Sequence, residues 1–488
     1  MGHKLKVAGW ISVGMFAGAM TTVSLQTVAR GALAPLPLEE LQQLAAVFGM
    51  VKSNYVEPVD EKKLITDAIA GMVAGLDPHS VYLDQKALKD FNEGTTGKFV
   101  GVGIEISQED GLIKVVSPIE DSPAHRAGLK PNDLIVKIDD TPVKGLSLNE
   151  GVKRMRGEPN TKVVLSIFRK DENRTFPVTI VREEIKTQSV KTKVIEPGYG
   201  WVRISQFQER TVADFARKVE DMYKQDPKIK GLVLDLRNDP GGYLDAAVAI
   251  SAAFLPDNVT SANGQLPESK FTYKAAPRYY HRRTGPDPLK HLEEVTRGAI
   301  KSVPLVVLVN EGSASASEIV AGALQDHKRA KLLGNQTFGK GSVQTAVCLD
   351  SAFRMDNCPT AALKLTTSRY YTPSGKSIQA KGIVPDVMVD ETAEGNLFAA
   401  LRTREADLEK HLGSGQGDEV KDTAREKARE EARVKLEEEM KKTPAERKLP
   451  ELGTDKDFPL MQALNQLKGL PVVVSKTLVE RPEVKKEN

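Results

Sequence analysis

Residues 303–319 read VPLVVLVNEGSASASEI. The first seven form an uninterrupted apolar run, the pattern of a strand covered on both faces. The small, polar stretch after it leads into a helix expected to start within the serines and continue to about Gln325. A second such run, Gly231-Leu232-Val233-Leu234-Asp235-Leu236, ends in the turn Arg237-Asn238-Asp239-Pro240-Gly241-Gly242. Two buried strands, each followed by a helix, predict an α/β core. Tyr199 to Ile204 adds a strand and Val212 to Tyr223 a helix, so the alternation extends from residue 185 to about 390.

The segments around this core differ in pattern. Residues 96–184 predict a small β-rich module: Phe99-Val100-Gly101-Val102-Gly103-Ile104-Glu105-Ile106 reads as a glycine-bearing loop running into a strand. Leu134 to Ile138, Lys162 to Phe168 and Thr175 to Val181 read as further strands, and Leu148 to Met155 as a helix. Residues 38 to about 95 read as helices. Leu38, Leu41, Leu44, Val47 and Val51 recur at helical spacing, and Asp60 can cap a helix from Lys62 to about Gly75 before Asp77-Pro78-His79-Ser80 breaks the pattern. From Leu397 to Glu446 the chain is densely charged with mixed sign, the composition of a solvated helix or linker, and Phe458 starts a last small helix.

With 488 residues, 40% hydrophobic and 28% charged, the chain is long enough for two to four domains. A net charge of +3 is too small for electrostatic binding of nucleic acid. Lys4 and Lys6 precede an uncharged stretch from Val7 to Ala29, closed by Arg30. This is the pattern of a secretory signal, and it is also long enough for a membrane anchor. Ala32-Leu33-Ala34 is a small-x-small cleavage site, although Pro35 is a poor context for cleavage. Either outcome exports the body of the protein. In an oxidising compartment the only two cysteines, Cys348 and Cys358, are expected to pair and clip a loop.

The chemistry concentrates in Asn310 to Ile319. A serine at a helix N-terminus has free N–H groups and the helix dipole beside it, which favour an oxyanion. One serine would serve as an N-cap; Ser313, Ser315 and Ser317 are more than a cap needs. A serine hydroxyl requires a base. The one histidine near it, His327, stands about three turns away on the same helix, roughly 18 Å, out of hydrogen-bond reach. Lysine is the other candidate. Phe338-Gly339-Lys340-Gly341-Ser342-Val343-Gln344 sets Lys340 between glycines, with Gln344 placed to orient its amine. Burial and a nearby helix N-terminus would favour the neutral, basic form. Gly334 to Lys340 also fits G-x-x-x-x-G-K, but Gly341 stands where a phosphate loop needs Ser or Thr, and a strand is expected next instead of a helix. Gly241 or Gly242 can supply a second oxyanion donor beside the Ala316 N–H, although a simple tight turn would also explain the glycines.

Taken in order, FVGVGIEI with SPAHRAGLKPNDLI, DLRNDPGG, GSASASE, FGKGSVQ and YYTPSGKSIQAKGIVPDV resemble the C-terminal processing (tail-specific) peptidases over roughly residues 40 to 390. The resemblance implies a crotonase/ClpP-like core with Ser315 as nucleophile, Lys340 as base and Gln344 as its orienter. It implies oxyanion donors at Ala316 and at Gly241 or Gly242. It implies an inserted PDZ domain whose Val100, Gly101, Val102, Gly103 and Ile104 capture a peptide C-terminus by adding it as a strand. The organisation expected is a signal or anchor at 1–34, a helical region at 35–95, the PDZ domain at 96–184, the peptidase core at 185–395 and a charged helical region at 396–488. No metal, cofactor or nucleic acid is implied. Protein tails are the implied substrates, in the periplasm or at the outer face of the inner membrane, with an adaptor, a homo-oligomer and membrane association through the N-terminal segment left open. Two other functions remain in play. A silent core would leave a PDZ scaffold, and a Ser/His hydrolase would use His327.

Overall fold

The structure, a computed structural model, describes residues 37–416 apart from 110, 120, 257–258, 266–269, 275–286, 351, 394 and 397–401, together with 430, 433–434, 436–438 and 452–475. The expected signal or anchor at 1–34 and most of the charged stretch after 416 lie outside the described residues. Among the described residues no helix is long and apolar enough to cross a membrane. The chain divides into two compact units, Met1–Met72 and Val73–Asn488.

In the first unit, Leu38–Asn54 is helical, as its spacing predicts, and the next helix, Glu61–Ala74, begins there. Asp60 Oδ1 accepts the Lys63 N–H at 3.1 Å, the expected cap. The apolar stripe Leu38, Leu41, Leu44 and Val47 is exposed.

In the second unit, the β-rich module is an antiparallel sheet in the order Ile104–Glu109, Leu112–Pro118, Leu134–Ile138, Lys162–Arg169, Arg174–Val181. Lys162–Arg169 shows the period-2 logic plainly: Val163, Leu165 and Ile167 are buried and pack with Ile113, Val115, Ile135 and Ile138. Ser147 and Glu150 form a capping box at the start of the helix Leu148–Met155. One expectation needs correction: Val100 and Gly101 lie in a strand, Lys98–Gly101, paired with Glu183–Lys186, so only Val102 and Gly103 form a loop. The β-prone Phe99 and Val100 favour this, and Phe99 carries the Arg156 guanidinium 4.9 Å from its ring centre.

The core is the α/β arrangement expected. Its sheet runs in the order Val190–Glu196, Tyr199–Ile204, Gly231–Asp235, Leu305–Val309, Lys331–Gly334, Val387–Met388. The first pair is antiparallel and the others are parallel. Leu232, Leu234, Val307 and Val309 face the helices Thr211–Gln225, Leu244–Phe254 and Ala316–Asp326. Val233, Val306 and Leu308 face the helix Phe458–Lys468 through Leu460, Ala463 and Leu464. Burial on both faces explains the unbroken apolar runs, and each such side chain contributes about 1.5–3 kcal/mol. The strand expected from Val303 starts at Leu305 instead, because Pro304 has no N–H for the ladder; Ala299–Ser302 forms a short helix before it. Arg237 ties the sheet to the last helix. Its guanidinium donates to Asp457 Oδ1 and Oδ2 at 2.8 and 2.7 Å and also to Asp235.

A second sheet joins Val81–Leu83, Ala362–Tyr371, Thr260–Gln265 and Lys270–Lys274, with Ser342–Cys348 also pairing with Ala362–Tyr371. Residues 81–83, expected to be helical, are therefore a strand, set by antiparallel pairing to Ala362–Lys364. Cys348 and Cys358 form a disulfide at the end of this hairpin.

Candidate active site

The three alternating serines have three different situations. Ser313 is fully buried; its Oγ donates to Leu236 O at 2.8 Å and accepts the Asn310 N–H at 3.0 Å. Ser317 is fully buried and donates to Asp239 O at 2.9 Å. Both hydroxyls bind the strand Leu305–Val309 and its helix to the 236–239 turn. Ser315 lies between them, partly exposed, and its hydroxyl donates to no carbonyl or side chain among the described residues. Its backbone has φ 56° and ψ −111°, a conformation that costs a non-glycine residue about 1–3 kcal/mol. That geometry turns the chain sharply from strand to helix and leaves the side chain at the helix N-terminus.

The 239–242 turn packs directly on this elbow. A Cβ on Gly241 would come within 2.6 Å of Ala314 O and 2.8 Å of both Ala316 N and Ser315 Cβ; one on Gly242 would come within 2.0 Å of Phe207 O. Only glycine permits this approach. Of the two glycines, Gly241 has its N–H committed to Asp239 Oδ1 at 2.8 Å. The N–H groups of Gly242 and Ala316 have no partner among the described backbone hydrogen bonds. Burial pushes the Asp239 carboxyl well above the usual carboxylate range, against the opposing effect of that Gly241 bond, and its Oδ2 has no partner among the described residues.

Lys340 sits in the loop before the strand Ser342–Cys348. Its Nζ donates to Gln344 Oε1 at 2.6 Å and to Ser342 O at 2.9 Å. Those two acceptors take the two protons of a neutral amine and leave its lone pair available as a base. The side chain keeps some exposed surface, yet the surrounding protein brings its pKa down from 10.5 to about 8. Burial is the main cause and the Lys364 cation adds to it; Glu405, Glu318 and Asp77 oppose. Gln344 Nε2 in turn donates to Ser342 Oγ and Thr366 Oγ1, each at 3.0 Å. No hydrogen bond joins Ser315 Oγ to Lys340 Nζ among the described residues.

Sequence reasoning missed the residue that joins the two halves. Glu318 is fully buried and accepts four donors: Ser315 N–H at 2.7 Å, Lys340 N–H at 2.9 Å, Gly339 N–H at 2.7 Å and Thr337 Oγ1 at 2.5 Å. Its place three residues after Ser315 was the available signal. His327 is held elsewhere, its Nε2 2.6 Å from Thr260 O. The phosphate-loop pattern fails as well: Gly334 ends one strand and Lys340 precedes another, with no helix to face a phosphate.

In the β-rich module, Ile104 opens a strand that, among the described residues, has a neighbour on one side only, Leu112–Pro118. Val102 O accepts the Ala124 N–H at 2.9 Å, and Gly103 O accepts Ser122 Oγ at 2.8 Å, which seats the Val102-Gly103 loop on the short helix Pro123–Arg126.

Comparison with known proteins agrees with this architecture. The family model for peptidase family S41 matches residues 198–389, that for the PDZ domain residues 100–180, and that for the activating protease CtpB N-terminal domain residues 13–87. A carboxy-terminal-processing protease of Bartonella bacilliformis is 43% identical over 356 residues, covering 72% of this chain and 76% of that protein. A probable CtpA-like serine protease of Staphylococcus aureus is 39% identical over 351 residues, covering 72% of this chain and 65% of that protein. A solved photosystem II D1 C-terminal processing protease is 31% identical, with a TM-score of 0.39, covering 69% of this chain and 84% of that one. On the strength of the 43% identity across three-quarters of a relative's length, the chain belongs to the carboxy-terminal-processing protease family and is a serine peptidase with a PDZ domain.

Proposed function

We propose that the protein is an endopeptidase that cleaves exported proteins near their C-terminal tails through a Ser315 acyl-enzyme, with Lys340 as general base. One observation carries this reading. The single serine of the three with an uncommitted hydroxyl proton, Ser315, sits on an elbow whose N–H shares an acceptor with that of Lys340, a lysine with its pKa lowered to about 8. When substrate aligns the pair, neutral Lys340 takes the Ser315 proton as Oγ attacks the scissile carbonyl. The N–H groups of Ala316 and Gly242 hold the oxyanion, while Gly241 keeps the turn in place through Asp239. The intermediate expels the leaving amine with the proton from Lys340, and Lys340, neutral again, then takes a proton from water, which attacks and releases the acyl group. The relatives' name, carboxy-terminal-processing protease, supports tails as the substrate class.

The side of Ile104–Glu109 that has no partner strand among the described residues offers a place for a tail to add as a strand, either tethering the substrate or gating the core. Export to the periplasm or the outer face of the inner membrane rests on the N-terminal sequence pattern, and the disulfide fits an oxidising compartment.

The test is incubation with an unstructured polypeptide bearing an apolar C-terminus, compared with the same polypeptide amidated at its end. Wild type should cleave the free-tail form faster, and Ser315→Ala and Lys340→Ala should each be inactive. Cleavage persisting in both variants would reject the Ser/Lys assignment; equal rates on the two substrates would reject tail recognition.

A further inference from the structure

The turn Asp77-Pro78-His79-Ser80 breaks the helical sequence pattern and is far from the catalytic motifs in sequence, yet Asp77 and Ser80 are buried. Asp77 Oδ1 accepts Thr366 Oγ1 at 3.0 Å and the N–H groups of His79 and Ser80 at 2.9 and 3.0 Å; Oδ2 accepts Ser80 Oγ at 2.6 Å. Thr366 Oγ1 is also the acceptor of Gln344 Nε2 at 3.0 Å, and Gln344 Oε1 is the acceptor of Lys340 Nζ at 2.6 Å.

We propose that Asp77 is a positioning residue for the general base, acting through Thr366 and Gln344. The argument is one of hydrogen-bond direction. A glutamine amide can sit either way round, and only one way presents oxygen to Lys340. The other way sets an NH2 group against the amine. The choice depends on what Nε2 meets: two hydroxyls, Ser342 Oγ and Thr366 Oγ1, each able to donate or accept, of which Thr366 has its direction set by a carboxylate. An ionised carboxylate only accepts, so Asp77 takes the Thr366 proton and leaves the hydroxyl oxygen to receive Gln344 Nε2. Burial works against ionisation of Asp77, but its four hydrogen bonds outweigh that and hold its pKa below the usual value.

The same turn also reaches the other side of the lysine loop. His79 Nε2 is 2.7 Å from Glu405 Oε2, Glu405 Oε1 accepts Gln379 Nε2 at 2.8 Å, and Gln379 Oε1 accepts the Gly341 N–H at 3.0 Å. Charged groups act on the Lys340 amine in both directions: Lys364 favours its neutral form, and Glu405, Glu318 and Asp77 favour the cation.

This inference rests on Lys340 being the base, so the experiment separates the two claims. Full-length protein is assayed on the free-tail polypeptide for kcat, KM and the pH dependence of kcat, with folding checked by thermal unfolding. Lys340→Ala tests the base: loss of turnover supports it, and retained turnover rejects the parent proposal whatever the other variants do. Thr366→Val keeps the side-chain shape and every charge, so kcat should fall about 10- to 100-fold with KM within about twofold and the acid limb unmoved. Thr366→Ser should restore most of the loss. Asp77→Asn keeps an acceptor and removes a charge, so the acid limb should move to lower pH by about half a unit. Asp77→Ala should lose kcat as Thr366→Val does; if it does not fold, the Val and Ser variants at 366 decide. With Lys340→Ala inactive, a folded Thr366→Val enzyme with kcat within twofold of wild type, or a loss that Thr366→Ser does not repair, would overturn the relay.

Discussion

The backbone N–H groups of Ser315 and Lys340 converge on a single oxygen, Glu318 Oε2, at 2.7 and 2.9 Å. The elbow and the lysine loop come from different elements, and this buried carboxyl fixes one against the other. Glu318→Ala should therefore lower kcat by about 100-fold and destabilise the fold by about 1–3 kcal/mol, since it orphans buried donors. Glu318→Gln should not rescue it, because an amide NH2 would face N–H or O–H donors at one of the two oxygens. Turnover together with thermal unfolding checks this; a Gln variant with wild-type kcat would contradict it.

Activity should follow deprotonation of Lys340. A base is active above its pKa, so kcat rises as pH rises through about 8. Half the amine is neutral there and about a tenth at pH 7, which predicts a roughly fivefold gain between the two. The Lys364 cation favours the neutral form of Lys340. Lys364→Gln removes that repulsion, so the acid limb should move to higher pH, opposite to Asp77→Asn. Single-turnover rates across pH 6–9 measure both.

Asp239 should tolerate Asn and resist Ala. Burial favours its neutral form, and the bond it makes to the Gly241 N–H needs only a carbonyl oxygen. Asp239→Asn should keep kcat within about threefold, whereas Asp239→Ala should free the turn beneath the proposed oxyanion donors and cost about tenfold or more. Steady-state kinetics of the two variants decides it; an inactive Asn variant would show that the carboxyl proton is needed.

The pattern of what was legible in the sequence has a physical basis. Strands buried on both faces, such as Gly231–Asp235 and Leu305–Val309, announce themselves as apolar runs. Ser315, Lys340 and Gln344 stand in short local motifs, and Ser315 and Lys340 are set among small residues that leave backbone room. Thr366 was invisible because its role depends on Asp77, 289 positions away, and no local pattern records that pairing. The choice between Gly241 and Gly242 was equally hidden, since it turns on which N–H the Asp239 side chain occupies. From sequence alone Phe99–Gly101 reads as loop, because the partner of the strand Lys98–Gly101, Glu183–Lys186, lies at the far end of the module.

The Cys348–Cys358 bridge closes the far end of the hairpin whose strands carry Gln344 and Thr366. Replacing both cysteines by serine should lower stability by about 2–3 kcal/mol, the value for a loop of this length. Denaturant unfolding of the oxidised protein and the double variant measures the difference; no difference would mean that the bridge constrains the unfolded chain little.

The central claim is that the Lys340 amine loses its proton near physiological pH, and NMR titration of isotopically labelled lysine side chains tests it most directly, with Lys340→Arg to assign the resonance. The account predicts a midpoint at about 8, well below the ordinary 10.5. A Lys340 that titrates at or above 10.5, both free and with a peptide inhibitor bound, would contradict it.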